Sequence, residues 1–132
     1  MSNYRWHRYT VTKSFDRIRS GGNPWVSHGD FIDDYRRSAL EDRLELVTEA
    51  PHKVNTMEER QWGALFAASV EALCIQDGIE PPVWTRASKY TLPVPWYPEA
   101  KSKDMRRFLR ETTPSVFAKR NVFAGDDVLS RV

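Results

Sequence analysis

The segment from Met57 to Asp77 constrains the fold more than any other part of the chain. Thr56 and Glu59 stand at the spacing of a capping box, in which a hydroxyl and a carboxylate reciprocally satisfy free N–H groups at a helix start. Gly78 supplies the stop, because glycine accepts the left-handed conformation that closes a helix. Between these signals Trp62, Leu65, Phe66, Val70, Leu73 and Cys74 make a broad apolar face, and Gly63, Ala64, Ala67, Ala68 and Ser69 fill the remainder with small side chains. A helix apolar over so much of its circumference has to be enclosed. The spacing therefore predicts a central core helix that the rest of the chain covers.

The next segment cannot be a helix. Five of the eight prolines fall between Glu80 and Pro98 (Pro81, Pro82, Pro93, Pro95 and Pro98), among Trp84, Tyr90, Trp96 and Tyr97. Proline removes a backbone donor and drives the preceding residue extended. We expect one turn around Pro82–Thr85 inside a long, extended, aromatic-rich connector, and connectors of this length are often functional or pinned by their own side chains.

Helical signals recur on both sides. Val11, Phe15 and Ile18 fall at i, i+4, i+7, and Gly21-Gly22 ends that run. Asn23-Pro24 caps and starts a second helix carrying Trp25, Gly29, Phe31, Ile32 and Tyr35, with Arg36-Arg37 at its negative end. Ser38 and Glu41 read as a second capping box, opening a third helix with Leu40, Leu44 and Val47 on its apolar side and Pro51 as its end. Helical order resumes at Ser102–Glu111, with Met105, Phe108 and Leu109 on one face. Thr113-Pro114 starts a short helix ending near Asn121, followed by a buried extended step at Val122-Phe123 and a last turn after Gly125. The expected fold is all-α: a loose basic-aromatic arm over residues 1–10, then a compact single domain of five to seven helices over 11–132 with no strand.

Composition narrows the classes of function. Apolar residues are 40% and charged residues 29% of the 132, the balance of a globular chain rather than a disordered one. The longest apolar run, Ala64–Val70, already contains Ser69 and is far short of the roughly 20 residues of a membrane span. The first residues lack the apolar block of a secretory signal, so the expected compartment is the cytoplasm and no membrane partner is expected. One cysteine, Cys74, excludes an internal disulfide and a cysteine zinc cage.

Candidate catalytic and ligand groups are few. His7, His28 and His52 are the histidines. His28 stands near Asp30, Asp33 and Asp34, but on a helix His28 and Asp30 diverge by about 200° at 100° per residue, so the four side chains cannot all converge on a metal. Cys74 ends the apolar stripe of the main helix with no base near it in sequence, so it reads as a small core hydrophobe. Glu41, Glu45 and Glu49 form a solvent-facing ladder, and no phosphate-cradling glycine pattern exists. We expect no catalytic constellation, no metal site and no cofactor.

Charge distribution is more telling than the net charge of +2. Residues 1–20 carry +4, residues 21–60 carry −4, residues 61–98 carry −1 and residues 99–132 carry +3. Positive ends around an acidic middle suit self-association or a bipolar partner as well as nucleic acid. Lys103, Arg106, Arg107 and Arg110 can form a phosphate-facing stripe, alone or with the Arg5/Arg8 arm; the alternative is a plain solvated face. Trp84, Tyr90, Trp96 and Tyr97 either fold back over the central helix or remain exposed as interface anchors.

Gly29–Arg37 (GDFIDDYRR), Pro82–Thr85 (PVWT), Pro95–Tyr97 (PWY) and Thr113–Phe123 (TPSVFAKRNVF) together resemble a group of small, uncharacterised, all-helical bacterial proteins, often encoded near toxin–antitoxin-type genes. The resemblance spans residues 11–132. It implies an antitoxin-like or accessory role with direct binding of a partner protein, and it brings no functional residues with it. Relatives of this kind can carry an N-terminal DNA-binding unit, and this chain shows no such motif. The expected function is a non-enzymatic protein–protein interaction module, with a protein partner or a second copy contacting Trp84, Tyr90, Trp96 and Tyr97, helped by the acidic Asp30–Asp34 face. The alternatives are a nucleic-acid-associated module using the basic C-terminal helix and, less favoured, a small enzyme.

Overall fold

A computed structural model describes residues 8–130. Among these residues the protein is all-helical: six α-helices and two 3-10 turns, with no strand beyond an isolated bridge. Their order is α1 (Val11–Arg19), α2 (Pro24–Arg37), α3 (Leu40–Val47), α4 (Met57–Gln76), the 3-10 turns Val83–Arg86 and Ser88–Tyr90, α5 (Lys103–Thr112) and α6 (Ser115–Ala118). Contacts along the backbone group the chain into two units, divided between Val54 and Asn55. No helix among the described residues is long and apolar enough to cross a membrane.

In the first unit α1 packs against α2, and α2 meets α3. Val11, Phe15, Phe31, Ile32, Tyr35, Leu46 and Val47 are buried. Asn23 caps α2 as its sequence indicates, its side chain accepting from the backbone N–H groups of Trp25 and Val26. The expected arm lies mostly outside the described residues, His7 and Arg5 included. Its last residues are held: Arg8 donates to Ser38 at 3.1 Å, and the Tyr9 N–H donates to Asp34 at 2.6 Å. Thr10 caps α1, accepting from the Lys13 N–H.

The capping box expected at Ser38–Glu41 does not form. α3 begins after Ala39, without a side-chain cap. The Ser38 hydroxyl is already committed, donating to the Asp34 carbonyl at 2.8 Å to close α2 and accepting from Arg8. α3 also ends at Val47, before Pro51, where the Thr48 hydroxyl turns back to the Leu44 carbonyl. Its buried side is Leu46 and Val47, leaving Leu40 and Leu44 outward.

The second unit is built round α4. Its capping box is present as expected: the Glu59 N–H donates to Thr56 Oγ1 at 3.0 Å, and the Thr56 N–H donates to Glu59 Oε1 at 2.9 Å. At the other end Gly78 takes φ +68°, which lets the Ile79 N–H reach back to the Cys74 carbonyl. Ala64–Val70, Leu73 and Cys74 are buried, and both 3-10 turns and α6 pack on this helix.

The proline-rich segment is not a free connector. Asn121 adopts a left-handed conformation, tolerated by asparagine more readily than by most residues. That reversal sends Val122-Phe123 back beside Trp96 in a one-residue parallel bridge. The Trp96 N–H donates to the Asn121 carbonyl, the Phe123 N–H to the Trp96 carbonyl and the Leu92 N–H to the Arg120 carbonyl. The expected buried step at Val122-Phe123 is therefore the element that fastens the connector down.

Arg120 holds these pieces together. It is 3% exposed, and its guanidinium lies 2.7 Å from Glu71 on α4 while donating to the Val116 carbonyl at 2.8 Å and the Thr85 carbonyl at 2.8 Å. Lys119 adds a second cation, 2.8 Å from the other Glu71 oxygen. Burial alone would raise the Glu71 carboxyl, but the hydrogen bonds and charges of Lys119 and Arg120 outweigh it and hold the group below its ordinary value of 4.5. A carboxyl depressed on folding lends stability above its unfolded pKa and withdraws it as pH falls through the folded value. Glu71→Ala leaves a buried cation without its counter-charge and is expected to cost about 3–5 kcal/mol in urea unfolding at neutral pH. Glu71→Gln is expected to flatten the acid limb of the stability profile below pH 4.5, and an unchanged acid limb would show that this pair is not its source.

Candidate partner-binding surface

The four aromatics assigned to partner contact are largely turned to internal use. Tyr90 is 1% exposed, its ring edge-on to Trp84 at 5.6 Å. Its buried hydroxyl has no hydrogen-bond partner among the described residues, and burial pushes its pKa to about 12. Trp96 is half-buried and meets Trp62 of α4 edge-on at 5.0 Å. Tyr97, also half-buried, stacks on Phe123 at 5.2 Å. Tyr90 is therefore cover, whereas Trp84, Trp96 and Tyr97 keep part of their surface accessible.

The other candidates are similarly engaged. His28 is buried against Trp25, at 6.4 Å between ring centres. Asp30 pairs with Arg17 at 2.9 Å, and Asp34 accepts from Tyr9 and from Arg37. Cys74 is a buried free thiol. No group of three or more metal-ligating side chains occurs among the described residues. His52 is exposed, 3.8 Å from Glu49.

Of the exposed large apolar residues of the second unit, Met57, Ile75, Val83 and Val94 come from other segments, while Met105 and Phe108 lie one turn apart on α5. Ser102 caps this helix, accepting from the Met105 N–H at 3.1 Å, and Asp104 sits in its first turn, where a negative charge suits the dipole. At 100° per residue Phe108, Met105 and Leu109 share an arc of about 100°, and Arg106, Arg110, Lys103 and Arg107 share the next arc of about 100°. The helix is seated by Leu109 alone among its residues. Gly125 comes close enough that a Cβ there would lie 3.3 Å from the Leu109 side chain, so a larger residue would crowd the seat. The Gly125 N–H is fixed in turn by Thr113 Oγ1 at 2.9 Å.

Met105 and Phe108 remain 45% and 58% exposed. They share one face of the helix with Leu109, as their spacing indicates, but only Leu109 is covered. Periodicity reports that a helix has an apolar side, not how much of that side a neighbour reaches. All four basic residues of α5 are exposed, and Arg110 leans back to donate to the Tyr97 hydroxyl at 3.0 Å and 2.7 Å. Tyr97 is thereby tied to this surface by its side chain. An open hollow of about 620 Å³, lined by Pro98, Glu99, Ala100, Lys101, Ser102 and Met105, continues the face beyond the start of the helix. Sequence reasoning selected α5 for its cations; its accessible aromatic, Phe108, was legible only as a core residue.

Compared with protein-family models, curated proteins and solved structures, the chain matches none of them. Phe108→Ser is expected to leave thermal stability within about 0.5 kcal/mol of the parent, as for a surface change. Leu109→Ala, one position on, is expected to cost about 2–5 kcal/mol. Equal losses in calorimetric unfolding would mean that Phe108 is core and that the surface described here does not exist.

Proposed function

We propose that the chain is a non-enzymatic protein-binding module that holds an acidic protein surface on the apolar–basic face of α5. The observation that carries this reading is the exposure of Met105 and Phe108 next to Lys103, Arg106, Arg107 and Arg110. Scattered exposed apolar residues are ordinary on any protein. Here a methionine and an aromatic stand one turn apart, beside a hollow and on a helix that also exposes four cations, a mixture of adaptable apolar anchor and steering charge that interfaces use. Tyr97, held against Arg110, extends the same surface. The resemblance noted in the sequence supports the same reading, with the module as the antitoxin-like or accessory half of a bacterial two-gene system.

The basic arc favours one second reading, a nucleic-acid-associated module, because four exposed cations on one side of a helix can each neutralise a phosphate. Phe108 separates the two. A photo-crosslinking amino acid at position 108, introduced in the native host, is expected to give a discrete protein adduct that the same group at exposed Ile75 does not give. Equal labelling at both positions, no adduct, or an adduct to RNA or DNA would overturn the protein-binding reading.

A further inference from the structure

One break in the regular structure is left almost unfastened. The proline-rich connector is held by Arg60, Arg120 and Asn121, but the stretch between α3 and α4 has nothing comparable. Among the described residues, no backbone group from Ala50 to Val54 makes a hydrogen bond. Pro51 is buried; beyond it His52, Lys53, Asn55, Thr56 and Met57 are exposed, with Val54 half-buried among them. Glu49 lies 3.8 Å from His52, but both are exposed, and such pairs hold little. Lys53 has φ +54°, in the left-handed region, where a Cβ crowds the backbone. The boundary between the two units falls one residue further on, between Val54 and Asn55.

We infer that Lys53–Val54 is the bond at which a protease that cuts after basic residues first divides this chain, leaving the second unit folded. A protease takes up its substrate as an extended strand, so the bond cut first is the one whose surroundings straighten most easily, which burial and hydrogen bonding decide. Around Lys53 no helix has to unwind, no backbone hydrogen bond is lost back to Ala50, and the lysine itself leaves a disfavoured conformation. Water adds across the amide, leaving a carboxylate on Lys53 and an ammonium on Val54. Resistance comes from the far side of the bond. The Asn55 and Thr56 N–H groups both donate to Glu59 Oε1 at 2.9 Å, so the capping box that starts α4 also restrains the residues just past the cut.

Other basic residues are worse placed. Most of the described ones lie inside helices or 3-10 turns, Lys119 and Arg120 are bound to Glu71, and Arg8 is bound to Ser38. Lys101 is the nearest rival, exposed in a loop. It stands between the turn closed by the Ala100 N–H on the Tyr97 carbonyl and the Ser102 cap of α5. A cut at Lys53 keeps α4, the Glu71–Arg120 pair and α5 in one piece, since all of them follow Val54. The surface of α5 therefore stays whole on the C-terminal product.

Limited digestion of the folded full chain with trypsin, read by mass spectrometry, tests this. The first cut within residues 9–130 is expected after Lys53, and the product beginning at Val54 is expected to outlast the intact chain by about tenfold under the same conditions. Lys53→Asn removes the basic side chain yet tolerates positive φ, and is expected to abolish this cut, while Lys101→Gln leaves it unchanged. Glu59→Ala frees the Asn55 and Thr56 N–H groups and is expected to speed the Lys53 cut about threefold or more relative to cuts elsewhere. Circular dichroism of each variant before digestion separates lost folding from a changed site. A first internal cut at Lys101 or inside a helix would overturn the inference. So would a Lys53→Asn chain divided at the parent rate, or a Val54 product degraded as fast as it forms.

Discussion

One buried guanidinium organises the second unit. Arg120 has little water to solvate it, so its charge has to be met by protein, and the available partners come from three segments: Glu71 of α4, the Val116 carbonyl of α6 and the Thr85 carbonyl of the first 3-10 turn. A hydrophobic residue of similar size could fill this space, and buried ion pairs are not in general more stabilising than apolar replacements. What the arginine adds is direction. Its donors are satisfied by this arrangement of the three segments, so the proline-rich stretch is fixed in position as well as attracted to α4. The backbone of the same residue accepts from Leu92, and its neighbour Asn121 turns the chain and donates to the Leu92 carbonyl at 2.7 Å. Side chain and backbone around residue 120 thus hold opposite ends of the connector.

This explains how a segment with five prolines becomes cover for a core helix. It cannot supply the regular hydrogen bonds of a helix or sheet, so its backbone groups are satisfied singly: by Arg60, which donates to the carbonyls of Lys89 and Thr91, by the Asn121 side chain, and by the short bridge at Trp96. Each of these is a local contact between distant positions. The aromatic rings then fill what remains, edge-on at Trp62–Trp96 and Trp84–Tyr90 and stacked at Tyr97–Phe123, geometries in which ring faces and edges attract.

Where a feature depends on a few neighbouring residues, the sequence displayed it. The α4 boundaries, the Asn23 cap, the turn after Pro82 and the buried step at Val122 all follow from local hydrogen bonding and periodicity. Where it depends on competition between distant groups, the pattern misled. Ser38 and Glu41 had the spacing of a cap, but Arg8 and the Asp34 carbonyl, 30 and four positions away, claimed the hydroxyl. The surface of α5 shows the same limit. Its basic arc could be read from ten residues, whereas the exposure of Phe108 depends on how far neighbouring elements extend, a quantity no window of sequence contains. The role of Arg120 is hidden for a related reason: nothing within its own segment reveals a glutamate on another helix.

The thin seating of α5 bears on what its surface can do. A helix of ten residues is close to the length at which isolated helices are marginal in water, and this one has a single buried side chain. Its persistence therefore draws on its ends: the Ser102 cap at one, and at the other the Arg110–Tyr97 bonds, with the Thr112 hydroxyl donating to the Phe108 carbonyl. Such a helix keeps its shape while Met105 and Phe108 stay exposed, so the partner proposed for it would meet a formed ridge and gain their burial without also ordering the backbone beneath them. The charges add rate and register more than affinity, since exposed ion pairs are individually weak. On the proposed reading, apolar cover and charge pairing would divide the work on α5: the first would supply the drive to bind, and the second would decide which surface is admitted.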